Sequence, residues 1–286
     1  MKWILRNLHQ RLQFLTDLAR QQESIHELLA TQYREPILAA EKLADPKKLT
    51  PYGFTAYSQA DEDGLLQETY RRIGTANKQF LEFGCGNGLE NNSAYLLLTG
   101  WQGFWMDGGK ENLQTVYQKF GPYLRAGKLQ AQETFLTLAN INELVERSGL
   151  EKELDLLSID IDGNDYWIWE AIDGIQPRVV VIEYNALFRP PHKVVQEYEA
   201  DHRWGGTNYF GASLKALEDL GERKGYHLVG CSFSGANAFF VRHDLTEDRF
   251  SAPFTAEHHY RPPRYDSFPG GPSRHPKDVG LYRVLG

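Results

Sequence analysis

The segment Glu82-Phe83-Gly84-Cys85-Gly86-Asn87-Gly88 places a glycine at every second position after a short apolar run. Glycine leaves backbone N–H groups unshielded and admits the turns that aim a helix N-terminus at a ligand. A strand feeding such a loop in an α/β sheet puts it at the carboxyl edge, where these sheets bind nucleotide-like molecules. A dinucleotide fingerprint counted from Gly84 requires glycine where this chain has Leu89, which demotes a nicotinamide-dependent oxidoreductase to an alternative. A second apolar run ends at Asp107-Gly108-Gly109, about twenty residues on, the spacing at which an acid meets a ribose diol. Asp107, with Gly108, is therefore the expected ribose ligand.

A second group of chemical residues, Asp160, Asp162, Asn164 and Asp165, follows the strongly apolar run 154–161. So many oxygen ligands at a strand end suit a hard divalent cation such as Mg²⁺ or Ca²⁺. A calcium-binding helix–loop–helix starting at Asp160 would need glycine at Asp165 and glutamate at Ala171, and has neither. His192 and His202, in the long segment after the next strand, are the candidates for a general base because histidine titrates near neutrality. Each also reads as a solvated loop histidine. Trp204, Tyr209 and Phe210 either stack on a sugar face or anchor the loop.

Positioning these residues requires alternating helices and strands, and the pattern from residue 61 onward supplies them. Helices are expected over 61–73, 89–99, 110–120, 138–148, 165–172 and 212–224. Strands are expected over 79–83, 103–107, 129–133, 154–161, 178–184, 226–231 and 236–242. The fold class is α/β, a Rossmann-like, seven-stranded, mostly parallel sheet with helices on both faces, its last two strands forming an antiparallel hairpin. Three regions follow: a helical extension and linker (1–50), the main domain (51–248) and a proline-rich irregular tail (249–286). In the extension, Leu5, Leu8, Leu12, Leu15, Leu18, Ile25, Leu28 and Leu29 recur at helical spacing. That stripe belongs against the chain's own domain or against a second copy. Pro36, Asp45-Pro46 and Pro51 mark a linker. The tail carries Pro253, Pro262, Pro263, Pro269, Pro272 and Pro276, which deny it regular helix or central strand and leave an extension over the surface, with an active-site lid or a partner's docking arm as the alternative.

With 41% hydrophobic residues in 286, the chain can bury a full core. A net charge of -7 lacks the diffuse basic field of nucleic-acid binders, so no nucleic-acid partner is expected. Cys85 and Cys231 have no metal-ligand spacing and read as reduced thiols in a cytoplasmic protein. No apolar run reaches the ~18 residues of a membrane span.

Five segments taken together, Tyr57–Gly64, Glu82–Gly88, Asp155–Gly163, Gly211–Leu214 and Asn237–Arg242, resemble the class I S-adenosylmethionine-dependent methyltransferases and, more narrowly, the FkbM-like group. The resemblance implies S-adenosylmethionine as cofactor and O-methylation, often of a sugar hydroxyl in a glycan or natural product. It lays Ser58-Gln59 over the cofactor, although Ser58 reads equally as a helix cap. Glu82 then lies near the cofactor's methionine part. The segment Ile159–Tyr166 is similar to one in the metal-dependent O-methyltransferases of catechol and caffeoyl-CoA type. This similarity makes Asp160 a metal ligand, beside the cofactor, and brings Asn185 into the same ligand set. Tyr184 stands where that family has aspartate, with Glu183 one residue early, and Gly163 stands at its catalytic lysine. The rival readings are a noncatalytic glycan- or nucleotide-binding module on this fold and the nicotinamide enzyme above.

Overall fold

The structure, a computed structural model, describes residues 2–268 and 281–285; Pro269, Pro272 and Pro276 lie outside the described residues. Helix α1 (Lys2–Ala44) is one rod with Pro36 inside it. This corrects the linker expected at Pro36. Proline removes a single helical N–H, and the turn beyond it is held by Ile37 and Leu38 packing against Ala60, Phe233 and Phe268. Leu12, Leu15, Ile25, Leu28 and Leu29 are each 56–59% exposed, so this part of the stripe does not pack on its own domain; the side chains of Leu5 and Leu8 lie outside the described residues.

The body alternates as the pattern requires: α2 (Glu62–Ile73), β1 (Gln79–Phe83), α3 (Ala94–Leu98), β2 (Gln102–Asp107), α4 (Lys110–Lys119), α5 (Gly121–Arg125), β3 (Leu129–Glu133), α6 (Ile141–Arg147), β4 (Leu156–Ile159), α7 (Asp165–Ala171) and β5 (Val179–Glu183). After β6 (Val194–Gln196) come α8 (Leu214–Lys224), β7 (Tyr226–Cys231), β8 (Asn237–Arg242), α9 (His243–Thr246), α10 (Ala256–His259) and β9 (Tyr282–Val284). The main sheet has the order β3-β2-β1-β4-β5-β8-β7. It is parallel except for β8, which runs antiparallel to both neighbours. The order reverses beside β1, so the carboxyl ends of β1, β2 and β4 open onto one crevice.

Side-chain alternation along the strands divides the core into two layers. Leu81, Phe83, Met106, Ile159 and Ile182 face α6, α7 and α8. Phe80, Trp105, Leu156, Val181 and Phe239 face α2, α3 and α4. The helix expected over 89–99 is cut to its last turn, because Asn91, Asn92 and Ser93 are drawn into hydrogen bonds with the buried Glu82. The tail is more ordered than its prolines suggest. It forms the short helix α10, and β9 pairs antiparallel with β6.

At the opposite edge of the sheet, buried Asp155 accepts hydrogen bonds from the N–H groups of Ala76, Asn77 and Lys78 ahead of β1 and pairs with Arg178 ahead of β5 at 3.0 Å. One carboxylate thus fixes the starts of three adjacent strands. Asp155→Ala removes the shared acceptor of three part-buried N–H donors and of the Arg178 guanidinium, a loss of about 1.5–3 kcal/mol. Denaturant unfolding checks this; a loss below 1 kcal/mol would show that the strand starts are held by other contacts.

Candidate active site

The glycine loop owes its path to two close approaches. Gly84 has φ +75°, and a Cβ there would lie 1.6 Å from the Asp160 carbonyl oxygen. At Gly88, φ +78°, a Cβ would meet the Trp105 and Phe120 rings at 2.8 and 2.9 Å. The Gly84 N–H donates to the Met106 carbonyl at 2.8 Å, tying the loop to the end of β2.

Asp107 ends β2 and holds the loop from the other side. Its Oδ2 accepts from the Gly86 N–H at 2.8 Å, and its Oδ1 accepts from the Gly109 N–H at 2.7 Å and Asn112 Nδ2 at 3.0 Å. A carboxylate offers about four acceptor positions, so Oδ2 keeps one for a ligand hydroxyl. Glu82 is buried and accepts from Asn91, the Asn92 N–H, and both the N–H and hydroxyl of Ser93. Burial pushes its carboxyl up to about 7, against the lowering effect of those hydrogen bonds.

Glu82, Gly84, Gly86 and Asp107 line one cleft of about 570 Å³ at the carboxyl edge, together with Gly108, Phe135, Leu136, Asp160, Asp162 and His202, whereas Gly88, packed on Trp105 and Phe120, lines neither this cleft nor the cavity beside it. Five lining carboxylates, Glu82, Glu90, Asp107, Asp160 and Asp162, face the single guanidinium of Arg203. A smaller cavity of about 120 Å³ adjoins it, lined by Glu183, Trp204, Phe210, Tyr265 and Phe268; Gln59, Asp160 and Asp162 border both. Asp160, Asp162 and Glu183 each bring a carboxylate oxygen within 4.8 Å of the other two. Glu183 ends β5, and its buried Oε2 has no hydrogen-bond partner. Burial first, then the neighbouring acids, raise the proton affinity of Asp160 and Glu183 well above the carboxylate range.

Not every expected residue meets there. Tyr184 turns away, its hydroxyl donating to the Arg261 carbonyl, so the alternation that brings Glu183 into the cavity is ordinary strand geometry and needs no bulge. Asn185 is fully buried behind the loop. Its Nδ2 donates to the Asn208 and Phe210 carbonyls, its Oδ1 accepts from the Leu187 N–H, and it lines neither cavity. His192 is exposed and borders neither cavity. His202 does line the cleft, with both nitrogens engaged. Gln196, whose Oε1 accepts from the Gly211 N–H, points its amide nitrogen at Nδ1 (3.0 Å), leaving Nε2 to donate to the Asp162 carbonyl at 3.2 Å. His202 therefore clamps the turn at Asp162, which has φ +57°. Its ring also fills the space above Gly163, where a Cβ would meet it at 2.5 Å.

Ser58 is buried away from the cleft, accepting from the Asp63 N–H at 3.2 Å, while Asp63 Oδ2 accepts from the N–H groups of Ala56, Tyr57 and Ser58. This reciprocal cap carries Gln59 over the cleft. Sequence reasoning missed Phe135 and Leu136, although they follow β3 at the same edge, and the tail residues Tyr265 and Phe268, whose distance in sequence gave no signal. A second group, Glu222, His227 and His243, sits at the opposite edge and brings ligand atoms within 4.8 Å of one another; its imidazoles lie 4.0 Å apart with their planes tilted by 34°.

No family model and no curated protein matches the chain. Among solved structures it is similar to an S-adenosylmethionine-dependent methyltransferase from Clostridium acetobutylicum, at 13% identity and TM-score 0.40 over 73% of this chain and 98% of that one. It is also similar to a protein from Staphylococcus aureus described as a caffeoyl-CoA O-methyltransferase, at 16% identity and TM-score 0.45 over 80% and 98%. A third is the O-methyltransferase from Bacillus cereus in complex with SAH, at 15% identity and TM-score 0.36 over 53% and 66%. Similarity at this level concerns the course of the chain and carries no reading of its chemistry.

The acids make stability pH-dependent with a definite sign. Burial raises Asp61 to about 8, Glu82 to about 7 and Asp165 to about 6. A folded pKa above the unfolded one contributes stability that is complete below the unfolded value and lost as pH rises through the folded value. The ligand-free protein is therefore expected to melt at progressively lower temperature from about pH 7.5 to 8.5, a window in which unfolded histidines are mostly neutral. Calorimetry at constant ionic strength checks it, and a melting temperature that climbs over this window would contradict the burial of these carboxyls.

Proposed function

We propose that the chain is an S-adenosylmethionine-dependent O-methyltransferase acting on a hydroxyl of a sugar, glycan or related small molecule, with a divalent cation held beside the acceptor. The observation that carries this reading is the convergence of the loop residues 84–87, Asp107 and Asp160 on one acid-rich cleft next to an aromatic-walled cavity. The cleft fits the cofactor chemically. Asp107 has an acceptor position for a ribose hydroxyl, Phe135 and Leu136 offer an apolar wall for a base, and the carboxylates favour a ligand bearing sulfonium and ammonium charge. The same acids repel the pyrophosphate of a nicotinamide dinucleotide.

When bound, the cofactor supplies an electrophilic methyl group on a cationic sulfur. The chain's part is alignment: the glycine loop and Asp107 fix one end of the cleft, and Gln59 borders both compartments, covering the junction at which transfer occurs. Trp204, Phe210, Tyr265 and Phe268 provide faces for the acceptor ring. Asp160, Asp162 and Glu183 are the protein's ligands for a hard cation, whose charge would lower the pKa of an acceptor hydroxyl. Asn185, engaged with the 208–210 backbone, supports the loop instead. A second reading rests on the unpartnered Oε2 of Glu183 and its raised proton affinity: without a cation, Glu183 accepts the hydroxyl proton directly.

Calorimetric titration is expected to show binding of S-adenosylmethionine and none of NAD; the reverse would overturn the cofactor assignment. Asp107→Asn removes the charge with little change of shape and should weaken cofactor binding by about 1.5–3 kcal/mol. Titration with Mg²⁺ and Mn²⁺ should show a site that is lost in Glu183→Gln. Methyl transfer to sugar acceptors that survives exhaustive chelation but not Glu183→Gln would establish the proton-acceptor reading and remove the cation.

A further inference from the structure

The apolar stripe of α1 has no partner in the protomer among the described residues. Leu12, Leu15, Leu18, Ile25, Leu28 and Leu29 are 42–59% exposed along a helix whose tertiary contacts, among the described residues, lie near its C-terminal end. There Arg34 donates to the Ser267 carbonyl at 2.8 Å and lies over the Phe268 ring, and Glu41 pairs with Arg261. At about 100° per residue, the stripe centres roughly a third of a turn away from Arg34, Ile37 and Glu41, the side that meets the body. The stripe is therefore a separate face and not a continuation of the docked one.

We infer that residues 11–33 of α1 pair with the same segment of a second copy in an antiparallel two-helix contact. Burying two such stripes against each other removes on the order of 1,600 Å², the size of a standard stable interface. The charges select this occupant over a membrane surface. Helices that lie on membranes carry Lys and Arg across the polar face, whereas here that face bears Asp17, Arg20 and Glu27 on a chain of net charge -7. They also select the direction. Arg11 lies within the stripe, so parallel helices would press two Arg11 side chains together, while antiparallel helices separate them by nearly the length of the contact. Antiparallel pairing also sends the two bodies to opposite ends of the rod. Gln22 and His26, polar positions in the middle of the stripe, would set the register.

Pairing would also brace the acceptor cavity, because the last turns of the same rod hold Ser267 and Phe268, and Phe268 lines that cavity. Sedimentation equilibrium of the full chain at tens of micromolar is expected to give twice the 32.8 kDa chain mass. The doubly substituted chain Leu15→Glu, Leu29→Glu should sediment as a monomer, with the body's melting transition retained as a check on folding. Copies carrying Leu15→Cys should form disulfides with copies carrying Leu29→Cys, and not with one another. A monomeric full chain, a double variant that remains dimeric, or Leu15→Cys copies that cross-link to each other would each overturn the inference. Co-sedimentation of a monomeric chain with phosphatidylcholine–phosphatidylserine vesicles would replace it with a membrane contact.

Discussion

The contact between Gly84 and the Asp160 carbonyl sets the geometry of everything around it. The first loop and the end of β4 approach so closely that no side chain fits between them. This brings the glycine loop, the acid at the end of β2 and the acids beyond β4 to the rim of one cleft. A larger residue at 84 would do more than strain a positive φ: it would push apart two neighbouring strand ends whose separation defines the space for a ligand. The sheet supplies this edge because its order reverses at β1, and the clamp at Asp155 holds the far ends of the same strands in register.

Around that edge the chain collects negative charge with little cationic compensation. Asp61, Glu62 and Asp63 secure the segment ahead of α2 through backbone N–H groups and Asn237, and Glu82 secures the start of α3. These acids build loops. Asp160, Asp162 and Glu183 have no such duty toward one another, and their mutual repulsion in a low-dielectric setting is relieved only by protons or by a positively charged visitor. The division between acids that brace and acids that wait separates architecture from chemistry here.

Much of this was legible in the sequence, for local reasons. The strands β1, β3 and β7 fall where apolar alternation put them, and the ends of the others in the main sheet shift by a few residues at most; β1 and β7 are buried along almost their whole length, while β3, at the sheet edge, buries Leu129 alone. Asp107 and the glycine loop are legible because their contact depends on spacing within one strand–loop–helix unit. What was not legible depends on contacts between distant segments. Pro36 reads as a break until Ile37 and Leu38 find Phe233 and Phe268. Asn185 looks like a ligand until the 208–210 backbone occupies its amide, and His202 looks like a base until Gln196 and the Asp162 carbonyl occupy its ring. The aromatic wall of the small cavity is drawn from Trp204, Phe210, Tyr265 and Phe268, which no local pattern links.

The placement of β9 against β6 has a bearing on how the molecule comes into being. A chain emerging from the ribosome folds its earlier segments first. The sheet, the glycine loop and the first acids can assemble once β8 is available, well before Tyr265, Phe268 and β9 are made. A nascent chain at that stage already has its acid-rich cleft, while the adjoining cavity still lacks part of its wall. The aromatic wall of the small cavity is thus completed late, by segments that the sheet itself does not require, and can change without disturbing the framework that holds the glycine loop.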